Sequence, residues 1–472
     1  MFPSTARRLH LIRGRTKPPW GTAFFPLRTA RQISSTTFHG TGDPLVANNI
    51  PPGIHQAPSG ADLEEPEFWR KVPIFKDTSR DEFFSWRWNV KNIVERKEKL
   101  LEILDVVVPE KIPRAVGIGD MQSRHEFAGD VVTGMKRSTM SVRLTPYILS
   151  MMNWADPANC PVFRQFVPLG SIMMKDHPNV ELDSLHERKD SPVDGVVHRY
   201  PDRALFLAIS VCPVYCVFCT RSYGVGADTF IVVKGPFKLS RSRFEAAFAY
   251  IESQGDLKDI VVSGGDAYYL PPHILEWIGD SLIGMKNIER FRFATKGLAV
   301  APNRILDDND PWVKTLIRVA DKARRADKHF ALHTHFNNPN EISSITERAS
   351  SKLIQAGITI RNQSVLLRGV NDSVDIMLSL IKKLARMNIQ PYYVYQCDMV
   401  PKVEHFRTPL QTSLDIESQI RGSITGFFMP NFVVDLPGGG GKRLACSFES
   451  YDRNTGVSTF RAPALKAKGR RP

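Results

Sequence analysis

ALFLAISVCPVYCVFC (204–219) joins an apolar run to three cysteines set within eight residues of one another. The run at 204–211 has the length and composition of a buried strand. Similar short runs follow at 259–262, 290–294, 329–333, 359–366 and 391–395. Amphipathic stretches at 240–254, 272–286, 308–326, 342–356 and 373–387 separate them. Strands alternating with helices predict βαβ units and a parallel sheet. Six units suit an α/β fold of the partial (βα)6 barrel type, with a doubly wound sheet as the alternative. Either arrangement gathers the C-terminal ends of its strands. Cys212, Cys216 and Cys219 follow the first run, and Ser263-Gly264-Gly265-Asp266 follows the second. The fourth ends in His333-Thr334-His335, the fifth holds Asn362 and Gln363, and the sixth leads to Asp398. These chemically active residues therefore converge before any function is assumed.

The rest of the chain divides around this unit. Residues 79–200 read as an N-terminal helical region. Within it, 79–105 carries apolar residues at helical spacing, with Trp86 and Trp88 near its start, and 106–200 mixes short helical pieces with polar loops. Residues 43–78 form a linker that opens on a Pro- and Gly-rich stretch. The strand–helix unit occupies 201–400, a C-terminal segment 401–460, and a basic tail 461–472. The net charge of +14 sits mainly at the ends: 1–42 holds seven Lys or Arg and no acid, and 461–472 holds five. The body between them is nearly neutral, which argues against a broad phosphate-binding face and hence against a nucleic-acid partner. The Arg-rich, acid-free leader with Ser and Thr has the composition of a mitochondrial transit peptide, and predicts a matrix location. Arg31-Gln32-Ile33-Ser34 resembles a cleavage context for a matrix protease. A disordered basic tail is the alternative. No apolar run reaches the length of a membrane-spanning helix. Six cysteines in 472 residues do not make a disulfide framework.

Three thiols on one short loop satisfy three irons of a [4Fe–4S] cluster and leave the fourth iron open to a small chelating molecule. Zinc and structural thiols are the alternatives; structural zinc takes four ligands, and Cys160, Cys397 and Cys446 are isolated. Pro437-Gly438-Gly439-Gly440-Gly441-Lys442 lacks the first glycine and the Ser or Thr of a P-loop. Four glycines allow close backbone approach to a planar or anionic group. A lysine at the end of such a loop can condense with an aldehyde cofactor; a flexible surface loop is the plainer reading. In His198-Arg199-Tyr200-Pro201-Asp202-Arg203, the two arginines suit a phosphate, with surface ion pairing as the alternative. A lysine nucleophile and a phosphate clamp together point to pyridoxal 5′-phosphate (PLP).

The cysteine spacing, with Phe218 before the third thiol, resembles the radical S-adenosylmethionine (SAM) superfamily. Ser263, Gly264, Gly265 and Asp266 resemble its second, SAM-supporting motif. Read together, HRYPDR (198–203), CPVYCVFCTR (212–221), DIVVSGGDA (259–267), THFNNPNEI (334–342), NQSVLLRGVND (362–372), PYYVYQCD (391–398), EHFRTP (404–409) and FVVDLPGGGGK (432–442) resemble the lysine 2,3-aminomutase family. The resemblance spans roughly 80–460. It implies a radical-SAM barrel whose C-terminal extension binds PLP, and an isomerase that converts L-lysine to L-β-lysine. Cys212, Cys216 and Cys219 would hold the cluster. Lys442 would carry PLP, with its phosphate on Arg199 and Arg203. His335 and Gln363 would lie around SAM. Arg221 would take the substrate carboxylate, and Asp398 and Asp435 its distal ammonium. Those two aspartates also make sense by charge alone, since a long cationic side chain in a partly dry barrel needs carboxylates. Helix capping or surface solvation is the alternative. An electron donor for the cluster and a homo-oligomeric assembly are implied as well. A relative acting on another amino acid, or on lysine destined for protein modification, is the nearer rival. A non-enzymatic iron–sulfur or nucleic-acid-binding protein is the more distant one. The chain departs from the family pattern at Ser373, where bacterial members often have cysteine, and lacks a CxCxxC cluster near its C-terminus. It is therefore expected to lack the structural zinc of some members.

Overall fold

The computed structural model describes residues 67–463. The basic leader, its cleavage context, most of the 43–78 linker and the last nine residues of the tail lie outside the described residues. Nine strands make the main sheet: β1 (Val196–Val197), β2 (Arg203–Ile209), β3 (Asp259–Gly264), β4 (Arg290–Ala294), β5 (His329–Thr334), β6 (Thr359–Leu366), β7 (Gln390–Gln396), β8 (Asn431–Leu436) and β9 (Gly441–Leu444). They lie side by side in chain order. Neighbours from β2 to β8 are parallel, and β1 and β9 add antiparallel at the two edges. A doubly wound sheet would reverse its strand order at a switch point. No reversal occurs, so the sheet is singly wound and curls into an open half-barrel.

Helices α1 (Arg241–Ser253), α2 (Pro272–Gly284), α3 (Pro311–Arg325), α4 (Ser344–Gln355), α5 (Val374–Arg386) and α6 (Leu410–Ile420) return the chain between successive strands from β2 to β8. Their starts are set by local chemistry. Asp310 accepts from Trp312 N (2.9 Å) at α3, and Ser343 forms a capping box with Thr346 at α4. Ser373 caps α5 by accepting from Ile376 N, which gives that departure from the family pattern a structural role. The helices bury one face of the sheet: Phe291, Phe293 and Ile360 join Ile278, Leu316, Val319 and Leu353 in the main core. On the other face, alternate residues such as Arg361, Gln363 and Val365 of β6 are only half-buried. That concave face holds the polar groups described below.

Two expectations change. The helical spacing across 79–105 is cut into three pieces, Arg80–Phe84, Trp86–Lys91 and Lys97–Val107. Ser85 ends the first in an extended conformation and caps the second. Trp86 packs edge-on against Tyr268 at 5.8 Å and its backbone N–H donates to Asp307 Oδ2 (2.8 Å), which ties this region into the barrel. Second, the parallel sheet does not stop at the sixth run. β8 pairs with β7, and β9 returns beside it, so the 401–460 segment continues the sheet. The apolar run of β8 is only Phe432-Val433-Val434, too short to be read as a strand between Pro430 and Pro437.

Candidate active site

The loop after β2 carries the three cysteines, all free and half-buried. Burial raises each thiol, Cys216 to about 12, and mutual repulsion adds to it at Cys212. Metal binding would have to displace these protons. Among the described residues no three thiol, imidazole or carboxylate groups close on one point as a single ion requires. A donor set of three soft thiols, one for each of three irons, instead suits an iron–sulfur cluster.

The SGGD turn holds that loop in place. Gly265 N donates to Ile209 O and Asp266 N to Val211 O, which lays the end of β3 along the chain entering Cys212. A Cβ on Gly264 would stand 2.3 Å from Ile209 O, and one on Gly265 2.5 Å from Val211 O, so only glycine allows this approach. Ser263 is buried beside them. Asp266, also buried, accepts from Tyr268 N (2.8 Å) and Lys296 N (2.7 Å). Its carboxylate is thus committed to the scaffold, and burial raises its pKa.

His335, beyond the end of β5, stacks on Phe218 of the cysteine loop at 6.0 Å and 19°. Burial, then the nearby Lys296 ammonium, keeps it well below the usual imidazole range, so it is neutral. Its Nε2 accepts from Asn337 Nδ2 (2.9 Å). Gln363 donates through Nε2 to His333 Nδ1 (2.7 Å) and accepts from the Tyr395 hydroxyl (3.3 Å). His333 therefore carries its proton on Nε2, which is buried and unpartnered, as is Thr334 Oγ1 next to it. Orphaned donors at the end of β5 fit a polar cofactor such as SAM.

Lys442 stands on β9 opposite Asp435 of β8. Its Nζ lies 3.0 Å from Asp435 Oδ2 and 5.2 Å from the centre of the Tyr395 ring. Burial works against the ammonium, but Asp435 and the tyrosines Tyr395 and Tyr200 outweigh it and hold its pKa above the usual lysine value. The Tyr200 hydroxyl accepts from Lys442 N (2.7 Å) and so links the first and last parts of the open sheet. The glycine loop packs on the 183–190 segment, where Gly438 N donates to Ser184 O (2.8 Å) and the buried Ser184 Oγ has no partner. Arg199 lies beside Gly439 but donates to Asp190 Oδ2 (2.7 Å) and to Leu185 O. Arg203 stacks on Tyr200 at 3.8 Å and pairs with Asp202 (2.9 Å). A lysine, a glycine loop, two arginines and an orphaned hydroxyl together fit a phosphorylated aldehyde, although each arginine already has a carboxylate partner.

Arg221 is held by a residue the sequence did not single out. It donates through Nε and Nη2 to Glu187 at 2.8 and 2.7 Å, and Glu187 also accepts from the Tyr223 hydroxyl (2.8 Å). Burial opposes the Glu187 charge, but Arg221 and Tyr223 keep its pKa low. One edge of Arg221 is thereby occupied. Asp398 accepts from Thr220 Oγ1 (2.6 Å). Burial and the Asp435 charge raise it to about 7. The Asp435 side chain is 6% exposed, and its Oδ1 is buried without a partner. The buried pair Lys296–Glu341 (2.7 Å) is a second feature the sequence did not mark. Lys296 also donates to His335 O (2.8 Å) and so ties three strand ends together.

Known proteins similar in sequence to this chain are aminomutases. The chain is 36% identical over 375 residues to L-lysine 2,3-aminomutase of Clostridium subterminale, covering 79% of this chain and 80% of that one. It is 35% identical over 376 residues to L-lysine 2,3-aminomutase of Bacillus subtilis, covering 79% and 71%. Streptococcus suis SuiB, solved with S-adenosylmethionine bound, overlaps 52% of each chain at 11% identity with a TM-score of 0.36, too slight a likeness to bear on the fold. No family model matches the chain.

Proposed function

Since the chain belongs to the L-lysine 2,3-aminomutase family, we propose that it is an isomerase that moves the α-amino group of L-lysine to the β-carbon. The observation that carries the substrate is Asp435, whose second oxygen faces no donor inside a site that already holds Asp398. When bound, a [4Fe–4S] cluster with SAM supplies a 5′-deoxyadenosyl radical, and PLP carries the migrating nitrogen.

The protein's own part is positioning. Cys212, Cys216 and Cys219 hold the cluster, braced by the Gly264–Gly265 approach. His335, His333 and Gln363 line the SAM side. Lys442 must give up its ammonium proton before its Nζ can attack an aldehyde, and Asp435 Oδ2 at 3.0 Å is placed to hold that proton. Arg221, its Nε edge fixed by Glu187, offers its remaining edge to the substrate carboxylate. Asp398 and Asp435 receive the distal ammonium. Tyr395 and Tyr393 set aromatic surface beside Lys442, and Phe218 does so beside His335.

The decisive experiment is anaerobic reconstitution with iron, sulfide, PLP, SAM and a chemical reductant, followed by product analysis. L-β-lysine is expected from L-lysine; no product from a fully loaded protein would overturn the proposal. Borohydride reduction of the same preparation should place the pyridoxyl group on Lys442, and labelling of another lysine would reassign that role.

A one-electron donor and a homo-oligomeric assembly belong to the same proposal. So does residence in the mitochondrial matrix, which rests on the acid-free leader alone; the relatives named above are bacterial and lend it no support. A tagged full-length chain that stays uncleaved in the cytosol would refute the matrix location.

A further inference from the structure

Four cations act on the three cysteines. Arg143 acts on Cys212, Lys296 on Cys216, and both Arg221 and Lys234 on Cys219. Three of the four are neutralised: Arg143 by Glu95, Lys296 by Glu341, and Arg221 by Glu187. Lys234 is not. Its side chain is buried, and its Nζ donates to Thr139 O (2.5 Å) and to Ser222 O, with Met140 Sδ at 3.8 Å. Among the described residues no carboxylate comes within ion-pair distance of that ammonium. Asp228, which accepts from the Lys234 backbone N–H (2.8 Å), acts on it only from farther off.

The contacts also place it. Ser222 N donates to Cys219 O (3.2 Å), so the carbonyl that Lys234 holds belongs to the turn carrying the third cysteine. Thr139 and Met140 lie on a separate segment, and Met140 packs with Tyr215 and Val225 against Cys212 and Cys219. Lys234 therefore staples the end of the cysteine loop to the N-terminal region, and does so with a charge. A buried cation bonded only to carbonyls is costly to keep, and a neutral side chain would serve packing alone. Burial lowers it to about 8, so it remains cationic at neutral pH.

We infer that Lys234 is a positioning residue for Cys219 whose unneutralised charge eases one-electron reduction of the cluster. Adding an electron to a cluster held by three thiolates builds negative charge in a low-dielectric site, and a fixed positive charge nearby favours that reduced state. The inference rests on the cluster assignment above.

The test uses the full chain reconstituted anaerobically as wild type, Lys234→Met and Lys234→Arg. Iron and acid-labile sulfide are counted, and the cluster is titrated potentiometrically by electron paramagnetic resonance. Lys234→Met should shift the reduction equilibrium at least tenfold toward the oxidised form, 59 mV for a one-electron couple. Lys234→Arg should restore most of that shift. Loss of the cluster in Lys234→Met that Lys234→Arg repairs would equally support the charged staple. An unchanged potential in Lys234→Met, or loss of the cluster in both variants, would overturn the inference. A wild-type chain that assembles no cluster would overturn the cluster assignment as well, which separates the two failures.

Discussion

Alanine in place of Cys212, Cys216 or Cys219 should abolish turnover and most iron binding, each substitution alone being sufficient. The three thiols share one loop and none is in a disulfide; Cys397 packs in the same buried cluster as Val217 and Phe218, but burial there keeps it a thiol and makes it a poor substitute. Losing one leaves an iron with neither a protein ligand nor a designed place for a small molecule. The scaffold should survive. Gly264, Gly265 and Asp266 fix the loop through backbone contacts that do not involve the thiols, and the core lies on the other face of the sheet. The variants should thus unfold near the wild-type temperature while losing the visible absorption of the cluster. A single alanine variant that keeps a complete cluster and wild-type turnover would refute the assignment of these residues.

Most of this architecture is legible in the sequence because local signals and tertiary demands agree. The runs at 290–294 and 359–366 become β4 and β6 with the same bounds, and the stretches read as helices match α1 to α5 within a few residues. Their caps, Asp310, Ser343 and Ser373, are local chemistry. What stayed hidden depends on contacts between distant segments. Glu187 lies 34 residues before Arg221, in a polar stretch with no periodicity, and only the fold brings the two together. Lys296 and Glu341 are separated by 45 residues and look like surface charges when read alone. β8 carries too few apolar residues to announce itself; its place follows from pairing with β7. The SGGD turn was legible as a motif but not in its main structural role, because sequence does not show that Ile209 O and Val211 O stand where two Cβ atoms would be.

Asp435→Asn should be the most damaging change among the residues that face the substrate. In the structure, one oxygen of Asp435 pairs with Lys442, and the other is buried without a partner. Once Lys442 has engaged a cofactor and Asp435 has passed the released proton on to solvent, that carboxylate has no cation of its own, and the substrate's distal ammonium supplies one. Truncating one partner of such a buried charge pair costs about 2–5 kcal/mol. That corresponds to roughly 30- to several-thousand-fold in kcat/KM. Asp398→Asn should fall at the lower end of this range, because Asp398 is already partly protonated near neutral pH. Its raised pKa fixes the sign of two pH effects. A carboxyl at about 7 in the folded chain, against about 4 when unfolded, takes up a proton on folding between those values. Its contribution to stability is therefore lost as pH rises from about 4 to about 7. Asp398→Asn should accordingly be more stable than wild type at pH 8 in the absence of substrate, although it binds lysine less well. For the same reason, KM for lysine should fall between pH 6 and 8 in the wild type, as Asp398 ionises, and this dependence should flatten in Asp398→Asn. Both variants should keep their cofactors. Turnover of lysine and of an uncharged analogue with the same carbon chain, L-norleucine, separates charge recognition from general damage. Loss confined largely to lysine is expected, and equal proportional losses on the two substrates would show that neither aspartate reads the ammonium.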